Sequence, residues 1–237
     1  IGHEGKCVYT YLYINYIHSI MTLPLIATAL DILFPRKCVG CKKDQTLLCD
    51  TCTKRIRREL HTPDNWTYAY FSYHDHIIKD SLWHLKYKGR YGYGKMLGKL
   101  LYDEAWESVS EKKQFHGFHS PIIVTIPVSK KRLRHRGYNH VSLIAQGFAS
   151  ENPSECEIVN NVLEKYRETR RQAEIKVRKD RLANLKNSFH VTDPAKVLGR
   201  NIILLDDVTT TGATFEEATR ALKKAGARKV LRLALAH

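Results

Sequence analysis

The stretch IILLDDVTTTGAT, residues 202–214, decides the fold class of this chain. Four apolar residues open it, as expected of a buried parallel strand, and two carboxylates, Asp206 and Asp207, follow at once. Threonines around one glycine come next, and a helical pattern begins at Thr214. A strand, a loop and a helix in this order direct backbone N–H groups and the positive end of the helix dipole at one point. The pattern predicts an α/β domain with an anion site.

The acidic pair restricts the ligand of that site. Ionised carboxylates only accept hydrogen bonds, so they suit sugar hydroxyls and would repel a phosphate placed on top of them. A ribose 5-phosphate satisfies both the carboxylates and the loop. No Walker lysine follows the glycine and no G-x-G-x-x-G occurs, which argues against a P-loop nucleotidase and a dinucleotide-binding fold. The alternative is a strand and a helix joined by an incidental threonine-rich turn.

The rest of the chain supports the same fold class. Apolar runs at residues 122–126 and 230–234 predict further buried strands, and helical patterns occupy residues 140–149 and 214–225. Strands that alternate with helices predict a parallel sheet flanked by helices. Nearer the amino terminus we expect a strand at 66–73 and helices at 27–34, 77–87 and 96–109. The polar residues 111–120 are interpreted as a linker.

Four of the six cysteines form two Cys-x-x-Cys pairs separated by seven residues. Two thiolates three positions apart can meet one cation across a tight turn, and four sulfurs suit tetrahedral zinc. A closed four-thiolate site would be structural. The alternatives are a redox dithiol pair and unligated cysteines. The predicted metal ligands are Cys38, Cys41, Cys49 and Cys52.

The charge balance and the cysteine pattern bear on partners and compartment. Lys and Arg number 39 against 24 acids, a formal charge of +15, which attracts phosphate-rich partners but also serves solubility alone. Paired rather than scattered cysteines favour a reducing cytoplasm over a secreted disulfide scaffold. Residues 7–30 contain no Asp, Glu, Lys or Arg, yet tyrosines, Asn15, His18 and Pro24 interrupt the run. We therefore expect no stable membrane insertion, and a cytoplasmic protein or one peripheral to the inner face of the membrane.

Several motifs resemble known proteins. Residues 202–214 resemble the 5-phosphoribosyl-1-pyrophosphate (PRPP) motif of type I phosphoribosyltransferases. Further motifs are similar to the ComF (ComFC-type) branch of that family. They are the amino-terminal LFPRKCVGC with its second pair CDTC, the LKYKG of residues 85–89, the IPVSKKRLRHRGYNH of residues 126–140, and the series Gln172, Arg181, Asn184 and Phe189. The resemblance implies an amidophosphoribosyltransferase-like, Rossmann-like parallel sheet. It also implies an amino-terminal zinc finger with four cysteine ligands.

Three segments are predicted. Met21 indicates that residues 1–20 could be upstream translation, an extension whose place in the functional chain an experimental start site would decide. Residues 21–60 carry a short helix and the zinc finger. Residues 61–237 form the phosphoribosyltransferase domain, with its core at about 118–237.

The resemblance also assigns roles to residues. The implied site for the 5-phosphate of PRPP is Val208, Thr209, Thr210, Thr211, Gly212, Ala213 and Thr214. The implied pyrophosphate loop is Val128, Ser129, Lys130, Lys131 and Arg132, for which a solvated basic loop is the alternative. The implied catalytic residues are Asp206 and Asp207, which would orient the sugar, with Arg170 and Lys176 from a mobile loop at residues 168–185. That loop would close over PRPP; the alternative is an amphipathic helix with a charged face.

Two functions follow from the resemblance. The first is a PRPP-binding protein that handles single-stranded DNA on the cytoplasmic side during natural transformation, with competence-machinery proteins such as a DNA helicase as partners. The second is an active Mg²⁺-dependent phosphoribosyltransferase acting on an unidentified acceptor, and a regulator that senses PRPP is a weaker third. Tyr87, Tyr91, Tyr93 and Tyr138 suit base stacking if they are not core residues. The basic candidates for DNA are Arg134, Arg136, Lys42, Lys43, Arg57 and Arg58.

Overall fold

A computed structural model describes residues 36–165 and 187–237 of the chain. It divides into two compact units, Ile1–Cys49 and Asp50–His237. Within the first unit, an isolated bridge joins Lys37 to Asp44, and the amide of Cys38 donates to the Lys43 carbonyl at 2.8 Å. Among the described helices, none combines the length and the apolar character that a bilayer span requires. The predicted helix at 27–34 and the predicted mobile loop at 168–185 lie outside the described residues.

The second unit is built on a six-stranded sheet in the order β1-β2-β8-β7-β3-β4. All neighbouring strands are parallel except β1 and β2, which are antiparallel. A separate antiparallel pair is formed by β5 and β6. The strands are β1 (Arg58–Asp64), β2 (Thr67–Phe71), β3 (Ile122–Thr125), β4 (Glu157–Ile158), β5 (Leu163–Lys165), β6 (Phe189–Val191), β7 (Asn201–Val208) and β8 (Lys229–Ala236).

Helices cover both faces of this sheet, which confirms the predicted α/β class. Buried apolar residues of the last long helix share a core cluster with Ile202, Leu204 and Val230. The helix that begins at His140 lies against the opposite face, as its contact with Asp207 described below shows. The described helices are α1 (Asp50–Arg55), α2 (His76–Tyr87), α3 (Gly92–His116), α4 (Lys130–Arg136), α5 (His140–Glu151) and α6 (Ala213–Lys224), with a 3₁₀ turn at Pro194–Lys196.

The predicted linker at 111–120 is wrong for most of its length. Helix α3 continues to His116 and ends where Gly117 adopts a left-handed φ of 57°. The segment is polar in sequence because the later turns of the helix carry several charged side chains, although Lys112 is buried and its ammonium lies 5.8 Å from the ring centroid of Trp66. The sequence does not predict strand β1 either, because its residues, RELHTPD, are largely polar. In the structure, half-buried and exposed residues alternate along only part of this strand.

Helices α3 and α5 approach each other through glycines. A Cβ atom built on Gly98 would lie 2.2 Å from the carbonyl oxygen of Ile144 and 2.5 Å from the backbone nitrogen of Phe148. One built on Gly147 would lie 2.5 Å from the Lys95 carbonyl oxygen. These neighbours are backbone atoms, so a side chain at either position forces the helices apart.

We expect Gly98→Ala to destabilise the protein by about 1–3 kcal/mol, the usual cost of overpacking a core. Alanine gains up to about 1 kcal/mol of helix propensity over glycine, and the expected loss is therefore a steric effect. Urea midpoints measure it. Gly92→Ala, at the exposed first residue of the same helix, is the control and should not lower the midpoint. An unchanged midpoint for Gly98→Ala would contradict this close approach.

Candidate functional site

The carboxyl ends of the central strands form one edge of the sheet. β3 and β7 are parallel neighbours, with Thr125 opposite Leu205, and β8 extends alongside β7 to Ala236 opposite Val208. From β3 the chain crosses to β4 on one side, whereas from β7 it crosses to β8 on the other. Ligands of open α/β sheets bind at such a switch point, outside the carboxyl ends of the strands. The two loops singled out from the sequence leave this edge.

The loop after β7 leads into α6 as predicted. Gly212 is the N-cap of α6 with a left-handed φ of 75°, and no side chain caps the first turn. The N-cap glycine itself therefore offers no side-chain acceptor to the first N–H groups of the helix, which point toward the loop. Thr209 is buried and its amide donates to the Ala236 carbonyl at 2.9 Å, which ties the loop to the sheet. Glu216 lies in the first turn of α6 and opposes an anion there.

The acidic pair lies inside β7 rather than after it. Asp206 pairs with Ala234 of β8, and the strand continues to Val208. Successive side chains of a strand point to opposite faces, so Asp206 and Asp207 are directed to different faces of the sheet. Both are 8% exposed. The sequence predicts their burial poorly, because carboxylates are rarely buried without partners.

Asp207 meets two basic residues from different helices. Its Oδ2 forms an ion pair with the Lys86 ammonium of α2 and lies 3.2 Å from the His140 Nε2 at the start of α5. Burial by itself would raise the pKa of Asp207, but Lys86 and His140 outweigh it and hold that pKa well below its ordinary value. Burial would lower the pKa of Lys86, and Asp207 raises it instead. The carboxylate is therefore ionised and the amine protonated at neutral pH.

His140 is the neutral member of this cluster. Burial lowers its pKa, Asp207 opposes this, and the nearby charges of Lys86 and Arg136 act with burial, so that the net direction is downward. Its Nδ1 lies 2.5 Å from an Arg136 guanidinium nitrogen, which has only donors, so Nδ1 accepts and Nε2 carries the proton that faces Asp207. Asn139 caps α5 by accepting from the Val141 amide at 3.1 Å, which fixes where His140 begins the helix.

Asp206 has a different environment. Its Oδ1 accepts from the Asp207 amide at 2.8 Å. Burial and the adjacent Asp207 charge raise its pKa well above the ordinary value. Lys165, at the end of β5, lies within electrostatic reach of both Asp206 and Arg132; burial and Arg132 lower the pKa of that lysine, while Asp206 opposes them. Lys165 thus links the acidic pair to the basic segment after β3.

That basic segment is partly helical. Val128 and Ser129 form the loop, and Ser129 caps α4 by accepting from the Arg132 amide. Lys130, Lys131 and Arg132 occupy the first turns of α4, a seven-residue helix without a buried residue. Lys130 lies 3.8 Å from Glu164 in an exposed ion pair. The segment leaves the same sheet edge as the threonine loop, and its cations are exposed.

Sequence reasoning missed Lys86 and His140 as site residues. Both stand inside stretches that resemble the ComF branch, LKYKG and IPVSKKRLRHRGYNH, but no spacing rule connects them to Asp207. Arg136 contacts His140, and its guanidinium carbon lies 5.5 Å from the ring centroid of Tyr87. Its predicted contact with nucleic acid stays a prediction. Arg170 and Lys176 lie outside the described residues, so their roles stay predictions.

The other basic candidates have varied surroundings. Arg57 lies 3.1 Å from Glu59, and Arg58 lies 2.6 Å from Glu104. Lys42 donates to the Val39 carbonyl at 3.1 Å. Lys43 and Arg134 are exposed. Their contacts with nucleic acid stay a prediction.

The four predicted metal ligands come together. The sulfurs of Cys38, Cys41, Cys49 and Cys52 all lie within 4.8 Å of one another. Cys49 Sγ is 3.7 Å from that of Cys38 and 3.6 Å from that of Cys41. Zinc–sulfur bonds of about 2.3 Å in a tetrahedron place sulfurs about 3.8 Å apart, while a disulfide needs about 2.05 Å. These four cysteines could bind zinc.

Backbone amides favour a thiolate in this quartet. Burial would raise the pKa of Cys38, but amides of Cys41, Cys49 and Gly40 outweigh it and lower that pKa to about 6. The Cys49 amide lies 3.4 Å from the Cys38 sulfur. In contrast, burial raises the pKa of Cys156, outside the quartet, to about 11. Cys38 therefore favours the thiolate, whereas Cys156 favours the thiol.

Known proteins resemble this chain over much of its length. Competence protein F of Haemophilus influenzae is 30% identical over 149 residues, which cover 61% of each protein. Competence protein ComFC of Bacillus subtilis is 27% identical over 180 residues, 75% of this chain and 65% of the relative. The chain is a relative of the ComF competence proteins.

A third similarity extends this group. The DNA utilization protein YhgH of Escherichia coli K12 is 31% identical over 147 residues, 62% of this chain and 61% of that protein. The matches thus span less than two thirds of the length of these curated relatives. No family model matches this ComF relative. These similarities, together with the cysteine quartet, confirm the predicted resemblance of the chain to the ComF proteins.

Proposed function

We propose that this ComF relative binds PRPP at the carboxyl edge of its sheet and acts in the uptake or handling of single-stranded DNA. The observation that carries the PRPP part is the arrangement of Asp206 and Asp207 at the end of β7, directly before a loop and a helix start that no side chain caps. The relatives, whose names refer to competence and DNA utilization, support the DNA part.

The 5-phosphate would bind in the loop from Val208 to Thr214. Backbone N–H groups at the start of α6 and threonine hydroxyls supply donors, and the helix dipole favours an anion. Gly212 is required because a side chain in its left-handed conformation would be strained. Val128 to Arg132, which leave the neighbouring strand β3, would supply cations to the pyrophosphate.

The ribose would lie beside the acidic pair. Asp207 is held ionised by Lys86 and His140, so it can accept a hydrogen bond from a sugar hydroxyl. Asp206, whose pKa is raised, can donate in its protonated form or accept when ionised. Oxygen ligands are those Mg²⁺ prefers, so these carboxylates would hold it, and its charge would offset that of the pyrophosphate group.

A second candidate is an active phosphoribosyltransferase. Buried titratable residues with opposed pKa shifts, such as Asp206 and Asp207, cluster at catalytic sites. Loss of pyrophosphate from C1 would leave a cationic ribose centre, and the neighbouring carboxylates would stabilise that charge. Pyrophosphate release that requires both Mg²⁺ and a particular added acceptor would support this candidate. If no acceptor of a broad panel causes pyrophosphate release, the candidate is contradicted.

We also infer that the cysteine quartet holds a structural zinc ion. Four thiolates close the coordination sphere and leave no position for a substrate. All four sulfurs lie within 4.8 Å of one another, as one tetrahedral ion requires, whereas a redox dithiol would need only two of them together.

PRPP binding predicts a thermal shift. At a free PRPP concentration about a hundredfold over Kd, with Mg²⁺, stabilisation should reach about 2.7 kcal/mol, or about 5–10 °C in Tm for a chain of this size. The shift should shrink markedly in Asp206→Ala/Asp207→Ala, each variant being compared with its own ligand-free Tm. Asp103→Ala, an exposed aspartate of α3, should keep the full shift. A wild-type protein whose Tm does not respond to millimolar PRPP with Mg²⁺ would contradict the proposal.

A further inference from the structure

A groove beside the acidic site has no role in the function proposed so far. It has a volume of about 390 Å³ and is lined by Tyr73, Lys79, Asp80, Leu82, Trp83, Lys86 and Tyr87. We call it the α2 groove, because all but Tyr73 belong to that helix. Lys86 connects it to the site, since the same side chain that lines the groove forms the ion pair with Asp207.

The α2 groove exposes large aromatic side chains. Trp83 is 46% exposed and Tyr87 is 64% exposed among the described residues. They stand four positions apart, so they are neighbours on one face of α2, while Ile78, Leu82 and Leu85 are buried. Their ring centroids are 6.5 Å apart. Adjacent exposed aromatics in a concave surface indicate a binding site more strongly than a single exposed ring does.

Cations surround these rings. The Lys88 ammonium lies 4.9 Å from the Trp83 ring centroid, and the Arg136 guanidinium lies 5.5 Å from that of Tyr87. Lys79 and Lys86 line the groove itself, against the single carboxylate of Asp80. Lys86 is already neutralised by Asp207, which leaves three cations to one acid. Aromatic faces interleaved with cations suit a ligand with planar bases and a phosphate backbone.

We propose that the α2 groove binds unpaired bases of single-stranded DNA. Bases stack on Trp83 and Tyr87, while Lys79, Lys88 and Arg136 attract the phosphates. This proposal deepens the proposed function by naming the surface that meets DNA. Tyr87 and Arg136 were predicted from the sequence to meet DNA, whereas Trp83, Lys79 and Lys88 come from the groove alone. In this groove the ring system rather than charge alone selects single strands over duplex.

The groove favours a DNA strand over a small acceptor. Sites for small molecules enclose most of the ligand and read it with a few placed polar groups. Here the rings face solvent, and the side chains that border them are chiefly long, flexible cations. A flexible lysine such as Lys88 can leave the Trp83 ring and pair with a phosphate, at little cost because it is exposed.

The test is the affinity of the full chain for a fluorescent oligothymidine of about twenty nucleotides at fixed salt. We expect Trp83→Ala to weaken binding about 5- to 150-fold, the range for loss of one stacked base. Trp83→Phe should retain most of the affinity, because it keeps an aromatic face. Phe115→Ala is the matched control, since Phe115 is 68% exposed at the end of α3 and does not line the groove; it should bind as the wild type does.

An oligonucleotide of the same length without bases separates stacking from charge. Trp83→Ala and wild type should bind it equally, and an equal loss on both oligonucleotides would overturn the stacking proposal. Wild-type binding with no effect of Trp83→Ala would overturn the groove as the site and leave the proposed function intact. Absence of oligonucleotide binding by the wild type would refute the DNA role itself. The thermal shift with PRPP would still test the proposed PRPP binding.

Two further outcomes would also overturn the proposal. If acrylamide cannot quench Trp83 in a variant with Trp66 and Trp106 replaced by phenylalanine, the groove is covered and not open to DNA. If Trp83→Ala instead impairs binding of free nucleobases in the presence of PRPP and leaves the oligonucleotide unaffected, the groove is an acceptor site. Quenching of Trp83 that DNA suppresses would support the proposal.

Discussion

Lys86→Met is expected to lower the free energy of unfolding by about 3–5 kcal/mol at neutral pH, the usual cost of removing one partner of a buried ion pair. The reason is the environment of Asp207, which is 8% exposed and ionised because Lys86 and His140 outweigh its burial. Without the ammonium, the carboxylate must either stay charged in a poorly solvated place or take up a proton. Either course costs free energy relative to the unfolded chain.

The pH dependence of this loss has a definite sign. In the wild type the pKa of Asp207 is depressed, so its contribution is present above about pH 4 and is lost as the pH falls through the lower folded pKa. The raised pKa of Lys86 means that its contribution is lost only as the pH rises above about 10. Between these limits the wild-type pair contributes a constant amount.

In Lys86→Met, burial instead raises the pKa of Asp207. The folded state then binds a proton that the unfolded state releases above about pH 4, so stability falls as the pH rises through that range. Protonation of His140 at low pH acts in the same direction, because imidazolium would partly replace the ammonium. The raised pKa of Asp206 is common to both proteins. The stability difference between variant and wild type should therefore be larger at pH 8 than at pH 5.

Urea unfolding at several pH values measures this prediction. Lys99→Met is the matched control: Lys99 also pairs with carboxylates, Asp103 and Glu151, but its side chain is 55% exposed. Such surface pairs contribute about 0–1 kcal/mol. Lys86→Met/Asp207→Asn should recover part of the loss, because it removes the unpaired charge. A Lys86→Met protein as stable as the Lys99→Met protein would show that the ion pair does not form.

Loss of metal binding at the cysteine quartet should have the largest effect on the chain. Structural zinc contributes about 10–16 kcal/mol to the folding of zinc-finger peptides. The described part of the first unit, residues 36–49, is too short to build an apolar core of its own. We expect purified protein to contain about one zinc ion per chain. A strong chelator should unfold this segment.

Cys41→Ser provides the sharpest variant, because Cys41 is exposed and its replacement by serine disturbs little packing. The variant should lose most of its zinc and become susceptible to proteolysis near residues 36–49. Cys156→Ser is the control: Cys156 is buried outside the quartet, and this variant should retain the metal. Atomic emission measures the zinc content of both variants. Full zinc content in Cys41→Ser, or metal-free wild-type protein with a stable first unit, would contradict the prediction.

Zinc binding and PRPP binding should be independent of each other. Because a closed four-thiolate site offers no position to a ligand, PRPP-dependent stabilisation arises from residues 206–214 and their surroundings. The variant Asp206→Ala/Asp207→Ala should therefore keep its zinc. Combined measurements of metal content and thermal shift on the same proteins test the two proposals independently.

Local patterns were sufficient for much of this protein. The apolar runs at 122–126, 202–205 and 230–234 form β3, β7 and β8, because continuous β-branched and aliphatic residues suit strands buried on both faces. The helices predicted at 77–87 and 140–149 are α2 and α5 within a residue or two. The cysteine quartet was likewise visible, since ligand spacing within a knuckle is a local property of the chain.

Local patterns failed where polar residues contribute to regular structure. The charged end of α3 was interpreted as a linker, and the polar edge strand β1 was not predicted. The basic residues 130–132 were predicted as a loop but lie in α4. In each case a capping residue or a neighbouring strand stabilises the backbone: Gly117 ends α3, Ser129 caps α4, and β1 pairs with the adjacent β2.

By itself, the sequence determined the fold class and the apolar segments that form the central strands. It also determined the loop that follows the acidic pair and the four clustered cysteines. Tertiary structure alone decided that Asp206 and Asp207 are buried within β7, that Lys86 and His140 from separate helices converge on Asp207, and that Trp83 borders the same site. The physical reason is that strand alternation and helix spacing are local rules, whereas burial and ion pairing depend on which distant segments the sheet brings together.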